Sequence, residues 1–309
     1  MSKKIAVIGS SNTDMIIQTQ RIPRPGETIL GGRFSIASGG KGANQAVASA
    51  RAGGDVSFIA RVGDDMFGKT AIEGFEKDKI NTEHIIIDKN QPSGVAFIFV
   101  ADDGENSIGV ASGANANLSV NDINKTSGII RSADILLMQL EIPVETVEYA
   151  VSLANKHGTK VILNPAPAQA LSDSLLQNVF IFTPNETEAE FFTGLKIEKK
   201  GDAQKAADVL LKKNINTVII TLGAKGALIA TTSKKEFVPG FKVNAVDTTA
   251  AGDVFNGTLA VAIAEGKELE HATSFANAAA ALSVTRLGAQ PSAPDLNEIL
   301  KFMQDNLIE

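Results

Sequence analysis

Short apolar runs alternate with amphipathic segments along most of the chain, and this alternation restricts the possible folds more than any other feature. Continuous apolar runs of this length are typical of strands buried on both faces, and they occupy residues 5–9, 56–62, 135–140, 160–164, 179–183 and 217–221. Amphipathic helical patterns over residues 144–158 and 202–214 end near Gly or Asn, which commonly terminate helices. This order predicts an α/β fold: a doubly wound, mostly parallel sheet with helices on both faces.

Two segments depart from this alternation. Residues 10–38 hold several Pro and Gly residues among short alternating stretches, and residues 94–112 resemble two strands around the turn DDGEN. We expect both segments to form a small β lid outside the main sheet. The sequence shows no internal repeat and no long linker, so residues 1–309 are expected to form a single domain that carries this lid.

The composition argues against several classes of function. A formal net charge of −6 disfavours a protein that must bind nucleic-acid phosphates. The chain has no Cys, and its three His residues form no HExxH motif, which disfavours disulfide frameworks, zinc sites and Ser-His-Asp hydrolysis. The first apolar run is shorter than a signal peptide requires, and no run approaches the ~20 residues of a membrane helix. We therefore expect a cytoplasmic protein with neither a nucleic-acid nor a membrane partner.

The segment GDDMFGKT at residues 63–70 matches the G-x-x-x-x-G-K-T pattern of a phosphate-binding loop. Such a loop works by pointing backbone N–H groups at an anion. Asp64 and Asp65 would place two negative charges in that cradle, and Met66 and Phe67 are too bulky for it. The sequence favours a strand-to-helix turn capped by Asp, with the phosphate loop as the alternative.

Polar side chains follow two of the predicted strands. Asn12 and Asp14 come directly after the first strand, and Glu141 ends another apolar run. The carboxyl ends of parallel strands form the crevice in which α/β proteins bind ligands. Carboxylates and amides there suit neighbouring sugar hydroxyls, since together they accept and donate. An ordinary Asx turn and a solvated carboxylate are the alternatives.

Two glycine-rich turns each precede a predicted helix. In SGGKGAN, residues 38–44, glycines flank Lys41, the helix is expected to begin near Ala43, and Asn44 lies in its first turn. In DTTAAGDVFNG, residues 247–257, the small residues before Asp253 leave room at a helix N-terminus, where anions bind. A carboxylate beside that site can take a hydroxyl proton during phosphoryl transfer. A plain loop and a plain helix cap are the alternatives.

Two further strand ends carry residues that suit a nucleotide. TPNETEAE, residues 183–190, places Asn185 at a strand-to-helix junction, where Asn is also an ordinary N-cap. TLGAKGALI, residues 221–229, forms either a nucleotide-binding turn or a simple hairpin.

These segments together resemble the phosphofructokinase-B family of carbohydrate kinases, and the resemblance extends over residues 4–294. Its two signatures correspond to GGKGAN (39–44) and DTTAAGDVFNG (247–257), and GSSNTD, IPRPGET, LNPAPA, PNETEAE, TLGAKG and RLGAQPSAP follow in the family order. The combination is similar to the members that phosphorylate D-ribose. It implies ATP-dependent transfer of phosphate to O5, giving D-ribose 5-phosphate and ADP.

The resemblance implies a role for each matching position. Asp253 is implied as the catalytic base, and Ala251, Gly252 and Asp253 as the anion hole for the transferred phosphate. The implied sugar-binding residues are Asn12, Asp14, Gly40, Lys41, Asn44, Glu141 and Asp253. ATP, with Mg²⁺ on its phosphates, is implied to be held by Asn185, Thr221, Gly223, Gly226 and Asn277. A K⁺ ion is implied at Asp247, Thr249, Ser283, Arg286, Gly288 and Ser292, mostly through backbone carbonyls. The lid is implied to form a homodimer contact.

Two alternatives stay open from the sequence. The chain is a related kinase for 2-deoxyribose, another sugar or a nucleoside, or it is a sugar or nucleotide sensor without catalytic activity. An intact Asp253 argues against the sensor.

Overall fold

The computed structural model describes residues 3–306. Its strands are β1 (Lys4–Ile8), β2 (Asn12–Thr19), β3 (Arg33–Gly39), β4 (Asp55–Gly63), β5 (Ile85–Asp88), β6 (Gly94–Ala101), β7 (Asn106–Ala111), β8 (Ile135–Met138), β9 (Lys160–Leu163), β10 (Ile181–Phe182), β11 (Thr217–Thr221), β12 (Ala227–Ala230) and β13 (Lys235–Val238). Its helices are α1 (Lys41–Arg51), α2 (Met66–Lys77), α3 (Val120–Lys125), α4 (Ser127–Ser132), α5 (Val144–His157), α6 (Asp173–Gln177), α7 (Glu186–Thr193), α8 (Lys200–Leu211), α9 (Ala251–Ala264), α10 (Leu269–Ser283) and α11 (Leu296–Asn306). None of the helices within residues 3–306 combines the length and apolar character needed to cross a membrane.

Nine strands form the central sheet, in the order β13-β12-β11-β10-β9-β8-β1-β4-β5. All neighbours from β11 to β5 are parallel, whereas β12 and β13 add an antiparallel edge. The strand order reverses at β1, with β8 on one side and β4 on the other. Ligands bind in α/β proteins at this kind of switch point, beyond the carboxyl ends of the strands. The predicted α/β fold with a mostly parallel sheet is confirmed.

Both faces of the sheet are covered by apolar side chains, which explains why its strands are continuously apolar. Along β1, Ile5 and Val7 pack into the core on one face, and Ala6 and Ile8 pack into the core on the other. The first core includes residues of α1, α9 and α10, and the second includes residues of α5, α7 and α8. Full burial of one such aliphatic side chain contributes about 1.5–3 kcal/mol.

A second sheet of four strands has the order β3-β2-β6-β7. β2 pairs with β3 antiparallel and with β6 parallel, and β6 forms the predicted hairpin with β7. β2 follows β1 after a short connection, so this second sheet starts at the switch point of the main sheet. Its strands fall within the two segments that the sequence assigns to a lid.

Helices α1 and α9 pack closely because Gly257 has no side chain. A Cβ atom at Gly257 would lie 2.6 Å from the Gln45 carbonyl oxygen and 2.8 Å from the Ala48 Cβ. The Ser49 hydroxyl donates to the Gly257 carbonyl at 3.0 Å and joins the two backbones at this point. The N-termini of both helices therefore lie near the same end of the sheet.

Some predicted boundaries were wrong. Helix α1 begins at Lys41 instead of near Ala43, because acceptors in neighbouring loops take its first N–H groups. The segment predicted as a helix over 202–214 is helical from Lys200 to Leu211, and Asn214 adopts a left-handed conformation with φ 63° that ends it. The strand predicted at 179–183 is reduced to β10 (Ile181–Phe182).

Candidate active site

Helix α9 begins at a turn that leaves space at its N-terminus. Ala250 precedes the helix with φ 59°, a left-handed conformation that is rare for residues other than Gly. No side chain among residues 3–306 caps this end of the helix, and a Cβ atom at Gly252 would meet no atom within 4 Å. The first N–H groups of a helix have no partner within it and favour anions. The turn therefore has the geometry of an anion site.

Asp253 lies in the first turn of α9 and is buried, with 5% of its surface exposed. Its Oδ2 accepts from the Asn44 amide at 2.9 Å, and its Oδ1 accepts from the Gln45 amide at 3.0 Å. Burial raises the pKa of Asp253 above its usual value, although Lys41 and the two amides oppose the shift. The result is a fixed carboxylate whose affinity for a proton is increased.

Asp14 is a second carboxylate in the same crevice. Burial, together with the negative charges of Glu141 and Asp253, raises the pKa of Asp14 to about 6. A Cβ atom at Gly39, which is paired across from β2, would lie 2.3 Å from the Asp14 Oδ2. Gly39 therefore leaves the space that the carboxylate occupies.

Glu141 follows β8 and binds the N-terminus of α1. Its Oε2 accepts from the Ser10 hydroxyl at 2.5 Å and from the Lys41 N–H at 3.0 Å. The Ser10 carbonyl accepts the Ala43 N–H at 2.8 Å. These acceptors replace an N-cap side chain, because the N-cap residue of α1 is Gly40, which has none. The carboxylate is also favoured by the positive end of the helix dipole.

Lys41 is the positive charge among these carboxylates. Burial alone would lower its pKa, but Asp253, Glu141, Glu188 and Asp14 together raise it above the usual value. Lys41 therefore stays protonated and offsets part of the negative charge of the crevice.

Asn12 is held by a residue outside its own sheet. The Asn115 amide donates to the Asn12 Oδ1 at 2.7 Å, and the Asn115 Oδ1 accepts the Ser11 N–H at 2.9 Å. A Cβ atom at Gly94 would lie 2.2 Å from both side chains. Because the Asn12 oxygen is engaged, its amide N–H groups are the part available to a ligand.

A cavity of about 170 Å³ extends from the α9 turn toward the ends of β9, β10 and β11. Its polar walls include Lys41, Asn164, Thr183, Asn185, Glu188, Thr221, Asp253 and Asn256. Asp14 and Glu141 are electrostatically coupled to Asp253, which also lines this cavity. Asp253 is therefore shared by the crevice of carboxylates and the cavity.

Asn185 and Glu188 form a capping box at the start of α7. The Asn185 Oδ1 accepts the Glu188 N–H at 2.8 Å, and the Glu188 Oε2 accepts the Asn185 N–H at 2.8 Å. Asn185 is thus the N-cap of α7, and its contact with a nucleotide stays a prediction. Glu188 is buried, which raises its pKa, and it lines the cavity.

The remaining residues assigned to the nucleotide lie around the β11–β12 turn. Thr221 lines the cavity. Gly223 is in the turn with φ 55°. A Cβ atom at Gly226 would lie 2.1 Å from the Val238 carbonyl, so close packing already requires glycine there. The Asn277 amide donates to the Pro239 carbonyl at 3.1 Å, on the same segment.

The six residues assigned to a monovalent cation lie on adjoining loops. The Asp247 Oδ1 accepts the Thr249 N–H at 2.9 Å, and its Oδ2 accepts the Gly288 N–H at 2.8 Å. The Ser283 and Ser292 hydroxyls donate to backbone carbonyls of Ala280 and Ala289. The Arg286 guanidinium is paired with Glu298. Residues 247–249 thus lie against residues 283–292, and cation binding there stays a prediction.

The segment 63–70 has the geometry of a capped helix. The Asp65 side chain accepts the Gly68 N–H at 2.8 Å at the start of α2, and it also accepts the Ser93 N–H at 2.7 Å. Lys69 is exposed and contacts Asp64 at 3.5 Å. A carboxylate therefore occupies the place where a phosphate loop would hold its anion.

The model of the pfkB family carbohydrate kinases matches residues 2–296. The chain belongs to this family. Among its relatives, the ribokinase of Haemophilus influenzae is 49% identical over 304 residues, covering 98% of this chain and 99% of that protein. The deoxyribokinase of Salmonella typhi is 41% identical over 303 residues, covering 98% and 99%. A structure of Arabidopsis thaliana ribokinase complexed with ribose and ATP superposes with a TM-score of 0.91 at 33% identity, covering 98% and 99%.

Several polar residues of this kinase site were missed by the sequence analysis. Gln45 contacts Asp253 directly, Glu188 lines the cavity, and Asn115 orients Asn12. The N-x-x-E spacing of a capping box was a usable signal for Glu188. Gln45 is next to Asn44 on α1, and its side chain points toward Asp253 because of the way α1 packs on α9, which local sequence does not show.

Asp14→Asn is expected to stabilise the unliganded protein at pH 7.5 by about 3 kcal/mol. The folded protein binds the Asp14 proton more tightly than the unfolded chain, since the pKa rises from 3.8 to about 6. The carboxylate therefore does not reduce stability below pH 3.8, and it costs increasing stability as the pH rises to about 6. Urea unfolding of both proteins from pH 4 to pH 7.5 checks this, and a difference that does not grow with pH would contradict it.

Proposed function

We propose that the protein transfers the γ-phosphoryl group of ATP to O5 of D-ribose, giving D-ribose 5-phosphate and ADP. The observation that carries the proposal is the position of Asp253, a buried carboxylate in the first turn of α9 beside an uncapped helix N-terminus. A polar crevice and a polar cavity meet at this carboxylate. The likeness to ribokinases of 49% and 33% identity, one of them complexed with ribose and ATP, supports the same assignment.

The crevice is suited to a polyhydroxy ligand. Asp14 and Glu141 supply acceptors, and Lys41 and the amides of Asn12 and Asn44 supply donors. A ribose has hydroxyls that both donate and accept, so this mixture can satisfy each of them. Gly40, with φ 89°, lets the backbone pass close to the bound sugar.

Catalysis rests on positioning and electrostatic stabilisation. Asp253 accepts the proton of the O5 hydroxyl as that oxygen attacks the γ-phosphorus, and ADP leaves on the opposite side. The N–H groups at Ala251, Gly252 and Asp253 stabilise the charge on the transferred phosphoryl oxygens. The raised pKa of Asp253 makes its carboxylate a stronger base than an exposed Asp.

ATP is proposed to bind in the cavity that Asn185, Glu188 and Thr221 line, and Gly223, Gly226 and Asn277 are proposed to help hold it. Mg²⁺ fits at the phosphates, because a carboxylate oxygen of Glu188 is the type of ligand it prefers. When bound, it would neutralise phosphate charge. K⁺ fits the loops of Asp247 and Ser283, which supply hard oxygen donors.

The four-stranded sheet is proposed to close over the crevice as a lid and to form a homodimer contact. By strand alternation, Ile16, Ile98 and Ile108 share the face of Asp14, whereas Phe34 and Phe97 lie on the opposite face. Phe34 is 59% exposed, Phe97 51% and Ile108 56%. Apolar surface on both faces of a thin sheet is typical of an interaction site. Closure would exclude water, which competes for the phosphoryl group.

A kinase for 2-deoxyribose is the second candidate, because a deoxyribokinase is 41% identical over nearly the whole chain. The two sugars differ by one hydroxyl, which a single side chain can discriminate.

The purified protein is expected to turn over ribose faster than 2-deoxyribose, fructose or adenosine at matched concentrations, with ATP, Mg²⁺ and K⁺ present. Asp253→Asn is expected to lower kcat by about 10²–10⁴ while ribose and ATP affinity change little. A coupled assay of ADP release measures the turnover rates, and calorimetry measures the affinity for ribose and ATP. Lys69→Ala is the control and should keep its activity. A loss below tenfold in Asp253→Asn would contradict the role of Asp253 as the base, and faster turnover of another sugar would change the substrate assignment.

Replacing K⁺ by Na⁺ at equal ionic strength is expected to lower kcat severalfold, since the smaller ion fits the same oxygen donors less well. The preference for K⁺ is expected to disappear in Asp247→Asn, because that change removes a carboxylate from the proposed site. Equal wild-type rates in the two salts would contradict the cation site.

Sedimentation equilibrium is expected to give twice the chain mass of 32.4 kDa. A variant with Phe97→Asp and Val110→Asp, one charge on each face of the lid, is expected to sediment as a monomer. Phe191→Asp, on an exposed part of α7, is the matched control and should stay dimeric. A wild-type monomer at all concentrations would rule out the dimer.

A further inference from the structure

Gln45 lies on α1 with none of its surface exposed, and its side-chain amide is saturated with hydrogen bonds. Its Nε2 donates to the Asp253 Oδ1 at 3.0 Å and to the Asn164 Oδ1 at 3.1 Å. Its Oε1 accepts from the Gln139 Nε2 at 2.6 Å. Both amide hydrogens of Gln45 are thus used, one of them on the carboxylate.

The direction of this amide is fixed by its neighbours. The Asn164 Nδ2 donates to the Thr183 carbonyl at 3.3 Å, which turns the Asn164 oxygen toward Gln45. A reversed Gln45 amide would set its oxygen against the Asn164 oxygen and the Asp253 carboxylate. These two unfavourable contacts oppose the reversal, so Asp253 always meets a donor. Gln139 does not set this direction, because its Oε1 has no hydrogen-bond partner within residues 3–306 and its amide can turn together with Gln45.

Gln45 cannot act on a substrate directly. It is fully buried and is absent from the cavity wall, whereas Asn44, the preceding residue, keeps 6% of its surface exposed. Asn44 holds the Asp253 Oδ2 and Gln45 holds the Oδ1. Two donors on two oxygens fix the rotation of the carboxylate, which one donor alone would leave free to turn.

The same network reaches the turn that receives the phosphate. The Thr183 hydroxyl donates to the Asn256 Oδ1 at 2.6 Å, and the Asn256 Nδ2 donates to the Gly252 carbonyl at 2.8 Å. A chain of hydrogen bonds through Asn164, Thr183 and Asn256 thus connects the Gln45 amide with the Gly252 carbonyl in the α9 turn.

We infer that Gln45 is a positioning residue for the reaction, which orients the Asp253 carboxylate and is itself oriented by Asn164. The inference rests on the proposed role of Asp253 as the base. Substrate affinity is expected not to depend on Gln45, because its side chain is fully buried and does not line the cavity. Its loss should therefore lower kcat and leave KM nearly unchanged.

Four charged groups act on Asp253 besides the two amides: Lys41 on α1, Asp14 on β2, Glu141 after β8 and Glu188 on α7. All four stay in place when Gln45 is replaced. An N–H donor favours the ionised carboxylate, so its removal raises the pKa of Asp253. The acid limb of the kcat profile should then move to higher pH.

The test compares Gln45→Met and Gln45→Glu with wild type, using the intact protein, ATP, Mg²⁺ and whichever sugar the wild type phosphorylates fastest. Met keeps the volume and removes the donor, and Glu replaces the donor by a negative charge. We expect kcat to fall about tenfold to a hundredfold, as a misplaced catalytic group does. The acid limb should move up by about one pH unit with Met, and further with Glu.

Ser49→Ala is the matched control. Ser49 is one turn further along α1, is equally buried and bonds to α9 through the Gly257 carbonyl, but it does not contact Asp253. It should lower stability without changing kcat or the pH profile. Gln139→Met removes the donor to the Gln45 Oε1 and leaves the Gln45 amide on Asp253, so it should lower kcat less than Gln45→Met. It also serves as the readout if Gln45→Met does not fold.

The outcomes separate the two claims. A wild type that phosphorylates none of the sugars overturns the proposed function. A wild type that is active, with Gln45 variants that match Ser49→Ala in kcat and acid limb, overturns the positioning role alone. A lower kcat, an unchanged KM and a displaced acid limb in the Gln45 variants support it.

Discussion

The hydrogen bonds from Asn44 and Gln45 to the Asp253 carboxylate are the contacts on which the rest of the site depends. They connect the first turn of α1 with the first turn of α9, and both helices reach this point because Gly257 lets them pack closely. A buried carboxylate without donors would be costly. The Asn44 and Gln45 amides reduce the free-energy cost of burying the Asp253 carboxylate, and they also fix the direction of its two oxygens. The position of the Asp253 carboxylate is therefore set by helix packing more than by its own loop.

The two helix N-termini in this crevice are used differently. The first N–H groups of α1 are taken by Glu141 and Ser10, so that helix holds a carboxylate of the protein itself. The turn before α9 has no side-chain cap and consists of small residues, which suits an anion supplied by the substrate. Lys41 lies among Asp14, Glu141 and Asp253 and limits their repulsion. The unfavourable ionisation of Asp14 is a stability cost of a sugar crevice lined by carboxylates.

Much of this arrangement was predictable from sequence, for reasons visible in particular residues. Asn12 and Glu141 follow strands of a parallel sheet, so their approach to one crevice follows from topology. The AAGD turn predicted an anion site because small residues before a helix leave its N–H groups accessible. Gln45 and Asn115 could not be found in this way. Each acts across a long sequence separation, and nothing in its immediate neighbours shows which way the side chain points.

The sequence by itself determined the α/β architecture, the two segments outside the main sheet and the unsuitability of GDDMFGKT as a phosphate loop, and it singled out Asp253 as the candidate base. Those features follow from local patterns: apolar periodicity, small residues at turns and charges where an anion would bind. The tertiary structure alone decided which amide meets which carboxylate oxygen and how Asn12 is turned. It also decided that Gly94 and Gly257 must lack side chains. Such features depend on ångström distances between elements up to two hundred residues apart, because short-range packing and hydrogen-bond direction are set only when the chain is folded.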